Sequence, residues 1–269
     1  MTRVFAIGMS PLVFLSAAAL GGCATTEGPQ PQATPLHAAL FRATHNSYSG
    51  QSRGTIPEQL DAGVRFIELD VYREDGAFVL GHGAPGAEVA LGDGNPTTID
   101  LAPWVDLLAE WRSDHTEDAL LTLGVDVKTP LSPAETDALA EVFEGSFGAA
   151  LTPGAEVSGD TIAESLQGKV LVILSGDRST RQALIEGGDG TLVVEYQGGD
   201  PETLEGPFRA VTAVDGETLA QWAEEGAVTR AWALNDPVYL EAAPITYPAT
   251  DTPYEDWYEE HCVARGALR

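Results

Sequence analysis

Apolar segments recur along the chain from about residue 38 onward, and most are rich in Val, Leu, Ile or Phe. Short runs of this kind indicate buried β-strands. They predict eight strands: Ala38–Ala43, Val64–Val71, Ala77–Gly81, Ala119–Val127, Lys169–Leu174, Thr191–Tyr196, Arg209–Val214 and Val228–Leu234.

Segments with helical spacing of apolar residues lie between several of these strands. They predict helices at Pro57–Ala62, Leu101–Arg112, Pro133–Phe147, Thr161–Gln167, Ser179–Glu186 and Gly216–Glu225. Strands that alternate with helices and are apolar on both faces indicate a parallel sheet covered by helices. About eight strands in one domain favour an α/β fold of the distorted (β/α)8 TIM-barrel type. An open doubly wound sheet is the alternative, but the chain has no glycine-rich phosphate loop to support it.

The second and third strands lie too close together along the chain for a parallel crossover and predict an antiparallel hairpin. We expect a three-residue loop ending at Gly76, which pairs Arg73 with Ala77. This register places His82 on the same face as Glu68, because side chains repeat every two residues. A two-residue turn would put His82 on the opposite face.

Oxygen-bearing side chains cluster at or near the ends of the predicted strands. They are Asn46, Glu68, Asp70 and Asp126. Carboxylate and amide oxygens are the ligands that hard cations prefer, and Ca²⁺ tolerates an irregular set of carboxylates better than Mg²⁺ does. The sequence therefore predicts a Ca²⁺ site, with Mg²⁺ as the less favoured ion.

Two histidines, His45 and His82, flank the same strand ends. One imidazole can remove a proton from an attacking hydroxyl while the other protonates a leaving oxygen. Lys128 follows Asp126 by two residues and can hold a phosphate oxygen. Two imidazoles, a cation and a lysine together indicate the cleavage of a phosphodiester.

The motifs that carry these residues resemble a known family. They are Thr-His-Asn-Ser-Tyr at 44–48, the run from Gln59 into Glu68-Leu69-Asp70, Gly-His-Gly at 81–83 and Asp-Val-Lys at 126–128. Together they are similar to the catalytic X-region of phosphatidylinositol-specific phospholipases C, and most similar to the bacterial calcium-dependent branch. The resemblance covers roughly residues 40–128.

The resemblance implies a distorted TIM barrel with a bound calcium ion, and an inositol phospholipid as substrate. It assigns His45 as the base that activates the inositol 2-hydroxyl, and His82 as the acid or as a donor to the transition state. The implied metal ligands are Asn46, Glu68, Asp70 and Asp126. Lys128 remains the candidate substrate contact.

Two other functions remain open. Glycerophosphodiester phosphodiesterases share the barrel, a Glu-x-Asp strand and a following histidine, but Asn46 stands where their first motif has arginine. A lipoprotein without catalytic activity could bind a lipid headgroup or a metal, although binding alone needs no pair of histidines. After residue 175 the motifs end, and only Tyr196, Asp215, Trp232 and Asn235 are candidates for lining the barrel mouth. Tyr196 and Trp232 are more simply explained as core aromatics.

Composition narrows the choice of partners. The 269 residues include 41 acidic and 14 basic residues, for a formal net charge of −27. Such a surface repels polyanions, so the sequence predicts no nucleic-acid partner. We expect a monomer.

The N-terminus predicts export and a lipid anchor. Arg3 precedes an apolar run from Val4 to Leu20, which is too short to span a bilayer as a helix. The run ends in Leu-Gly-Gly-Cys, which resembles a bacterial lipobox and implies a signal peptide over residues 1–22 and lipidation of Cys23. Ala24 after that cysteine indicates the outer membrane if the host has one.

A proline-rich polar segment follows and predicts a flexible tether over residues 23–36, with the barrel over residues 37–269. The second cysteine, Cys262, then has no partner for an intrachain disulfide. We expect it to be a buried or idle thiol.

Overall fold

Eight parallel strands close into a barrel in the part of the chain that the structure, a computed structural model, describes: residues 33–188, 190–241 and 243–269. The first strand pairs with both the second and the last, which closes the barrel. A ninth strand, β3 (Ala77–Leu80), pairs antiparallel with the end of β2. The barrel strands are β1 (Arg42–Thr44), β2 (Val64–Glu74), β4 (Leu121–Val127), β5 (Val170–Gly176), β6 (Val193–Gln197), β7 (Phe208–Thr212), β8 (Val228–Trp232) and β9 (Tyr247–Thr250). The predicted TIM-type barrel is confirmed.

Helices cover the outside of the barrel. They are α1 (Ile56–Asp61), α2 (Leu101–Asp114), α3 (Pro133–Phe147), α4 (Arg178–Gly187), α5 (Gly216–Glu224) and α6 (Asp256–Ala264). Thr55 and Ser132 each form a capping box at the start of α1 and α3, with a glutamate three residues later. The predicted helix over Thr161–Gln167 is only a short 3-10 turn at Ala163–Leu166.

Two elements near the C-terminus, β9 and α6, were not predicted from the sequence. β9 is four residues long and contains Pro248, and proline within an apolar run argues against a strand. The first predicted strand is also shorter than expected, because Leu36–Ala38 forms a 3-10 turn before β1 begins.

The floor of the barrel interior is packed with aromatic side chains. Tyr247 lies between Phe41 and Phe66, with ring centroids 5.4 and 4.8 Å away. Gly124 on β4 makes room for this layer, because a Cβ there would lie 2.5 Å from the Phe66 ring. A second apolar core lies outside the barrel, between the strands and helices α2 and α3.

The hairpin register differs from the expected one. Glu74 pairs with Ala77, so the loop has two residues, Asp75 and Gly76, and the predicted three-residue loop is wrong. Both have positive φ, 45° and 85°, as a type I′ turn requires, and Asp-Gly favours that turn. His82 still reaches the expected face, because the chain leaves the sheet after β3.

The folded domain begins before residue 37. Thr34 donates its backbone N–H to Glu164, Pro35 bridges to Ile162, and Leu36 is fully buried, so the end of the predicted tether packs on the barrel. The predicted signal peptide and Cys23 lie outside the described residues. Cys262 is buried with a free thiol, as expected. Within the described ranges, no helix is both long and apolar enough to cross a membrane.

Candidate active site

The candidate site lies at the end of the barrel where the parallel strands finish. His45 and Asn46 follow β1, and Asp70 and Asp126 lie near the ends of β2 and β4. Active sites of TIM-barrel enzymes occupy this end of the fold. The structure thus brings together side chains that are far apart in the sequence, since His45 and Asp126, 81 residues apart, both lie here.

Strand register gathers three carboxylates. Asp70 and Asp126 are direct partners in the β2–β4 pairing, and Glu68 precedes Asp70 by two residues, so all three point into the barrel. One oxygen atom from each lies within 4.8 Å of the others. Glu68 and Asp70 are buried, and Asp126 is partly exposed.

Burial and charge repulsion make Asp70 the unusual member of this acidic cluster, which comprises Glu68, Asp70 and Asp126. Burial, followed by the charges of Glu68 and Asp126, raises its pKa to about 6, although Lys128 opposes the shift. Its Oδ1 atom is buried and has no hydrogen-bond partner among the described residues. An unpaired carboxylate oxygen inside a protein is costly unless a cation or donor meets it.

Lys128 lies against the same cluster. Its Nζ is 2.9 Å from Asp70 Oδ2 and 2.7 Å from Asp126 Oδ2. Burial alone would lower the pKa of Lys128, but the charges of Asp126 and Asp70 outweigh it and raise that pKa. The two carboxylates therefore already attract a positive charge within the protein.

Asn46 reaches the cluster through its backbone. It has a left-handed conformation, with φ of 50°, and its N–H donates to Glu68 Oε2 over 3.1 Å. Ser47 Oγ in turn accepts the N–H of Glu68 at 2.8 Å. The Asn46-Ser47 part of the Thr-His-Asn-Ser-Tyr motif is thus folded around Glu68.

A buried ion triad supports Glu68 from inside the barrel. Arg230 on β8 lies 2.7 Å from Glu68 Oε1 and 2.7 Å from Glu195 Oε2 on β6. The guanidinium is also 5.4 Å from the Phe66 ring centroid and 5.5 Å from that of Trp232. Burial alone would raise the pKa of Glu68, but the charges of Arg230 and His45 lower it. Neither Arg230 nor Glu195 was predicted, although each is a charged residue inside a largely apolar strand.

His45 is held by Asp251, which follows β9. Its Nδ1 lies 2.9 Å from Asp251 Oδ1. Burial favours the neutral imidazole, but the hydrogen bond to Asp251 and the charge of Glu68 outweigh it and raise the pKa of His45. Because a carboxylate only accepts hydrogen bonds, Nδ1 carries the proton and Nε2 of the neutral ring is left as an acceptor. Asp251 was missed because β9 itself was missed.

Asp251 is fixed by two further groups. Arg53 pairs with its Oδ1, and Asn235 Nδ2 donates to its Oδ2 over 2.6 Å. Burial alone would raise the pKa of Asp251, but its hydrogen bonds to His45 and Asn235 lower it to about 2. Of the four suggested mouth residues, Asn235 therefore contacts the site.

The other three suggested mouth residues have structural contacts. Trp232 lies over Arg230, Tyr196 packs edge-on to Trp222 at 5.8 Å, and Asp215 caps α5 by accepting the N–H of Thr218. Tyr196 thus makes a core contact. Asp215 performs a helix-capping role that needs no ligand.

His82 lies on the other side of the acidic cluster. Its Nδ1 is 3.1 Å from Asp70 Oδ2, and its backbone carbonyl accepts a hydrogen bond from Tyr72. The tight turn after Gly81 brings it there, since a Cβ on Gly81 would lie 2.0 Å from the Ala84 carbonyl oxygen. The structure therefore brings the acidic cluster and both predicted histidines together at this end of the barrel.

One buried hydroxyl at the cluster was not singled out in the sequence. Tyr48 is fully buried, and its Oη has no hydrogen-bond partner in the described part of the chain. Burial, followed by the charge of Asp70 and a side-chain interaction with that carboxylate, raises its pKa, so the Tyr48 hydroxyl lies near Asp70. It belongs to the same motif as His45 and Asn46.

Comparison with known proteins places the fold. No family model matches the chain, and no curated protein matches it by sequence. The calcium-dependent phosphoinositol-specific phospholipase C of a Pseudomonas species, in its myoinositol complex, is similar with a TM-score of 0.68 at 18% identity, over 81% of this chain and 91% of that one.

Two further solved structures extend this comparison. The Ca²⁺-dependent phosphatidylinositol-specific phospholipase C of Streptomyces antibioticus gives a TM-score of 0.67 at 13% identity, over 88% of this chain and 99% of that one. A glycerophosphodiester phosphodiesterase of Parabacteroides distasonis gives 0.56 at 12% identity, over 84% and 98%. The chain therefore has the barrel fold of phosphatidylinositol-specific phospholipases C and related phosphodiesterases, as its motifs predicted.

Proposed function

We propose that this protein is a calcium-dependent phosphodiesterase of the phospholipase C type that cleaves phosphatidylinositol or a related inositol phospholipid. The observation that carries the proposal is the arrangement of the acidic cluster between two histidines. Each histidine is held through Nδ1 by a different carboxylate, Asp251 or Asp70. The similarity in fold to phospholipases C that act on inositol lipids supports it.

The residues of the acidic cluster fit a hard divalent cation. They offer oxygen atoms only, as Ca²⁺ prefers, and Asp70 Oδ1 is buried without a partner in the described residues. Glu68, Asp70, Asp126 and the carboxamide of Asn46 would hold the ion. When bound, the cation would lower the pKa of the attacking hydroxyl and offset negative charge that develops on phosphorus.

His45 acts as the general base in this proposal. Asp251 holds the Nδ1 proton, so Nε2 of the neutral ring accepts the proton of the inositol 2-hydroxyl as that oxygen attacks phosphorus. The P–O bond to diacylglycerol then breaks. The charge of Asp251 stabilises the imidazolium that forms.

His82 acts as the general acid. Asp70 accepts a hydrogen bond from Nδ1, which leaves Nε2 to protonate the departing diacylglycerol oxygen. Because His82 is about half-exposed, it can exchange its proton with solvent between turnovers. Two histidines in different environments can thus perform opposite proton transfers.

A glycerophosphodiester phosphodiesterase is the second candidate, since one such enzyme has a similar fold. Hydrolysis assays with phosphatidylinositol and glycerophosphoinositol, each with calcium and with chelator, separate the possibilities. Cleavage of phosphatidylinositol only with calcium supports the proposal, whereas preference for glycerophosphoinositol supports the second candidate. A folded protein that binds calcium but cleaves neither would be a binding lipoprotein.

We also propose that the protein is exported and anchored to a bacterial membrane, in diderm hosts the outer membrane, through lipidated Cys23. The support is the Leu-Gly-Gly-Cys ending of the apolar N-terminal segment. Metabolic labelling with a radioactive fatty acid tests it. Label in the wild-type protein and none in Cys23→Ala is expected, and equal labelling would contradict the anchor.

A further inference from the structure

Lys128 lies against two of the carboxylates that would hold a divalent cation. Its ammonium contacts the Oδ2 atoms of both Asp70 and Asp126, and both carboxylates belong to the acidic cluster. A divalent cation held by the same carboxylates, including the Asp70 Oδ1 that accepts no hydrogen bond from the described residues, would lie close to this ammonium, and the two positive charges would repel each other strongly. Binding of either one therefore weakens binding of the other.

The backbone fixes the base of this side chain, whereas, within the described part of the chain, only the two carboxylates hold its ammonium. The Lys128 N–H donates to the Val71 carbonyl oxygen over 2.8 Å, just beyond the end of β4. The side chain is 23% exposed, whereas that of Asp70 is 1% exposed. A lysine on a flexible four-carbon stem can therefore swing toward the open mouth without disturbing the carboxylates.

We propose that Lys128 is a tethered counter-ion that competes with the divalent cation for Asp70 and Asp126, and that cation binding releases its ammonium to hold the substrate phosphate. The inference rests on the proposed function, because it takes the acidic cluster as the cation site. It assigns Lys128 two positions, one before and one after the cation binds. Cation binding and phosphate binding are then coupled, and such coupling is reciprocal.

Calcium binding measured by calorimetry on the full-length protein tests the competition. Lys128→Met removes the competing charge, so we expect calcium to bind about tenfold more tightly or better, within the usual range of coupling between sites. The same variant should melt at a lower temperature than wild type in chelator, because its carboxylates lose their counter-ion. Lys128→Arg keeps the charge and should bind calcium within about threefold of wild type.

Lys169 provides a matched control, since the chain has only these two lysines. Lys169 immediately precedes β5, so it lies at the opposite end of that strand from the barrel mouth, and its Nζ donates to the Ala149 carbonyl oxygen. Lys169→Met changes the net charge by the same amount as Lys128→Met. Equal gains in calcium affinity for both variants would show a general charge effect and overturn the proposal.

Nuclear magnetic resonance on the wild-type protein tests the release itself and needs no variant. With lysine side chains labelled, only two Nζ signals are expected. A calcium titration should shift the Lys128 signal and leave the Lys169 signal in place. An unmoved Lys128 signal while calorimetry reports bound calcium would contradict the release.

The outcomes for this inference and for the proposed function are separable. Tighter calcium binding by Lys128→Met, together with no cleavage of any phosphodiester by wild type, would retain the competition and reject the enzyme. Calcium-dependent cleavage by wild type, with unchanged calcium affinity in Lys128→Met, would retain the enzyme and reject the competition.

Discussion

The two histidines of the candidate site occupy different surroundings. The His45 side chain is 19% exposed and is held by a carboxylate that Arg53 and Asn235 also bind. The His82 side chain is 43% exposed and lies on an irregular turn, where its Nδ1 pairs with Asp70. The rigid, partly buried ring suits a base that must be oriented, and the exposed ring suits an acid that is recharged from solvent.

The ion pairs on the two sides of the site also differ in burial. The His45 side rests on the buried triad of Glu68, Arg230 and Glu195, which spans the barrel interior. The hairpin that leads to His82 carries a partly exposed ion pair, between Arg73 and Glu135. Because buried ions resist rearrangement more than exposed ones, the base side is the more preorganised half of the site.

Loss of the base should have the largest effect. His45→Ala should lower the rate of phosphatidylinositol cleavage by about 10²–10⁴-fold, the usual range for general base catalysis. Calcium affinity should stay at the wild-type value, because His45 is not one of the proposed ligands. Initial rates and calorimetry measure both, and an unaltered rate would reject the assignment of the base.

Breaking the buried triad should have the next largest effect, on stability. Arg230→Met leaves the buried carboxylates of Glu68 and Glu195 without their cationic partner, and we expect the free energy of unfolding to fall by about 3–5 kcal/mol. Arg73→Met is the matched control on the His82 side, where loss of the exposed pair should cost about 1 kcal/mol or less. Urea denaturation compares them, and equal losses would contradict the difference between the two sides.

Loss of the acid should have a smaller effect than loss of the base. His82→Ala should lower the rate about 10–100-fold, toward the low end for proton transfer, because solvent reaches this position and can supply a proton. A substrate with a nitrophenol leaving group needs no acid, so it should restore most of the rate of His82→Ala and none of that of His45→Ala. Equal rescue of the two variants would show that the roles are assigned wrongly.

The smallest effect should be a shift in pH dependence. The hydrogen bond and charge of Asp251 raise the pKa of His45, so Asp251→Asn should lower that pKa and move the acid limb of the rate profile to lower pH. A pH–rate profile measures the shift, and movement to higher pH would contradict the pairing.

Asp251 should also affect acid stability. Its own pKa is lowered to about 2, so it stabilises the wild-type fold above its ordinary pKa, and this contribution is lost as the pH falls toward 2. The free energy of unfolding of the Asp251→Asn variant should therefore depend less on pH in this range than that of the wild-type protein.

The sequence was sufficient to predict those parts of the structure that depend on residues close together in the chain. Short apolar runs predicted most strands of the barrel, and helical spacing of apolar residues predicted most of its helices. The acidic cluster could be predicted because Glu68 and Asp70 are two residues apart on one strand, and Asp126 is near the end of the next parallel strand.

Contacts that span the barrel could not be predicted from the sequence. Arg230 pairs with Glu68 across 162 residues, and His45 pairs with Asp251 across 206, and no local pattern connects either pair. The predicted length of the hairpin loop was wrong for a different reason. The three-residue loop was predicted because it places His82 on the same face as Glu68. The observed Asp75-Gly76 turn follows local backbone preference instead, and the later turn at Gly81 positions the histidine.

The central claim is that one calcium ion, held by the acidic cluster between the two histidines, is required for phosphodiester cleavage. The most direct test is the rate of phosphatidylinositol cleavage by the full-length protein as free calcium is titrated, with Asp126→Asn measured beside it. We expect a wild-type rate that saturates with calcium and is lost in chelator, and an Asp126→Asn variant that needs about tenfold more calcium or beyond. A wild-type rate that is the same with chelator as with calcium would contradict the claim.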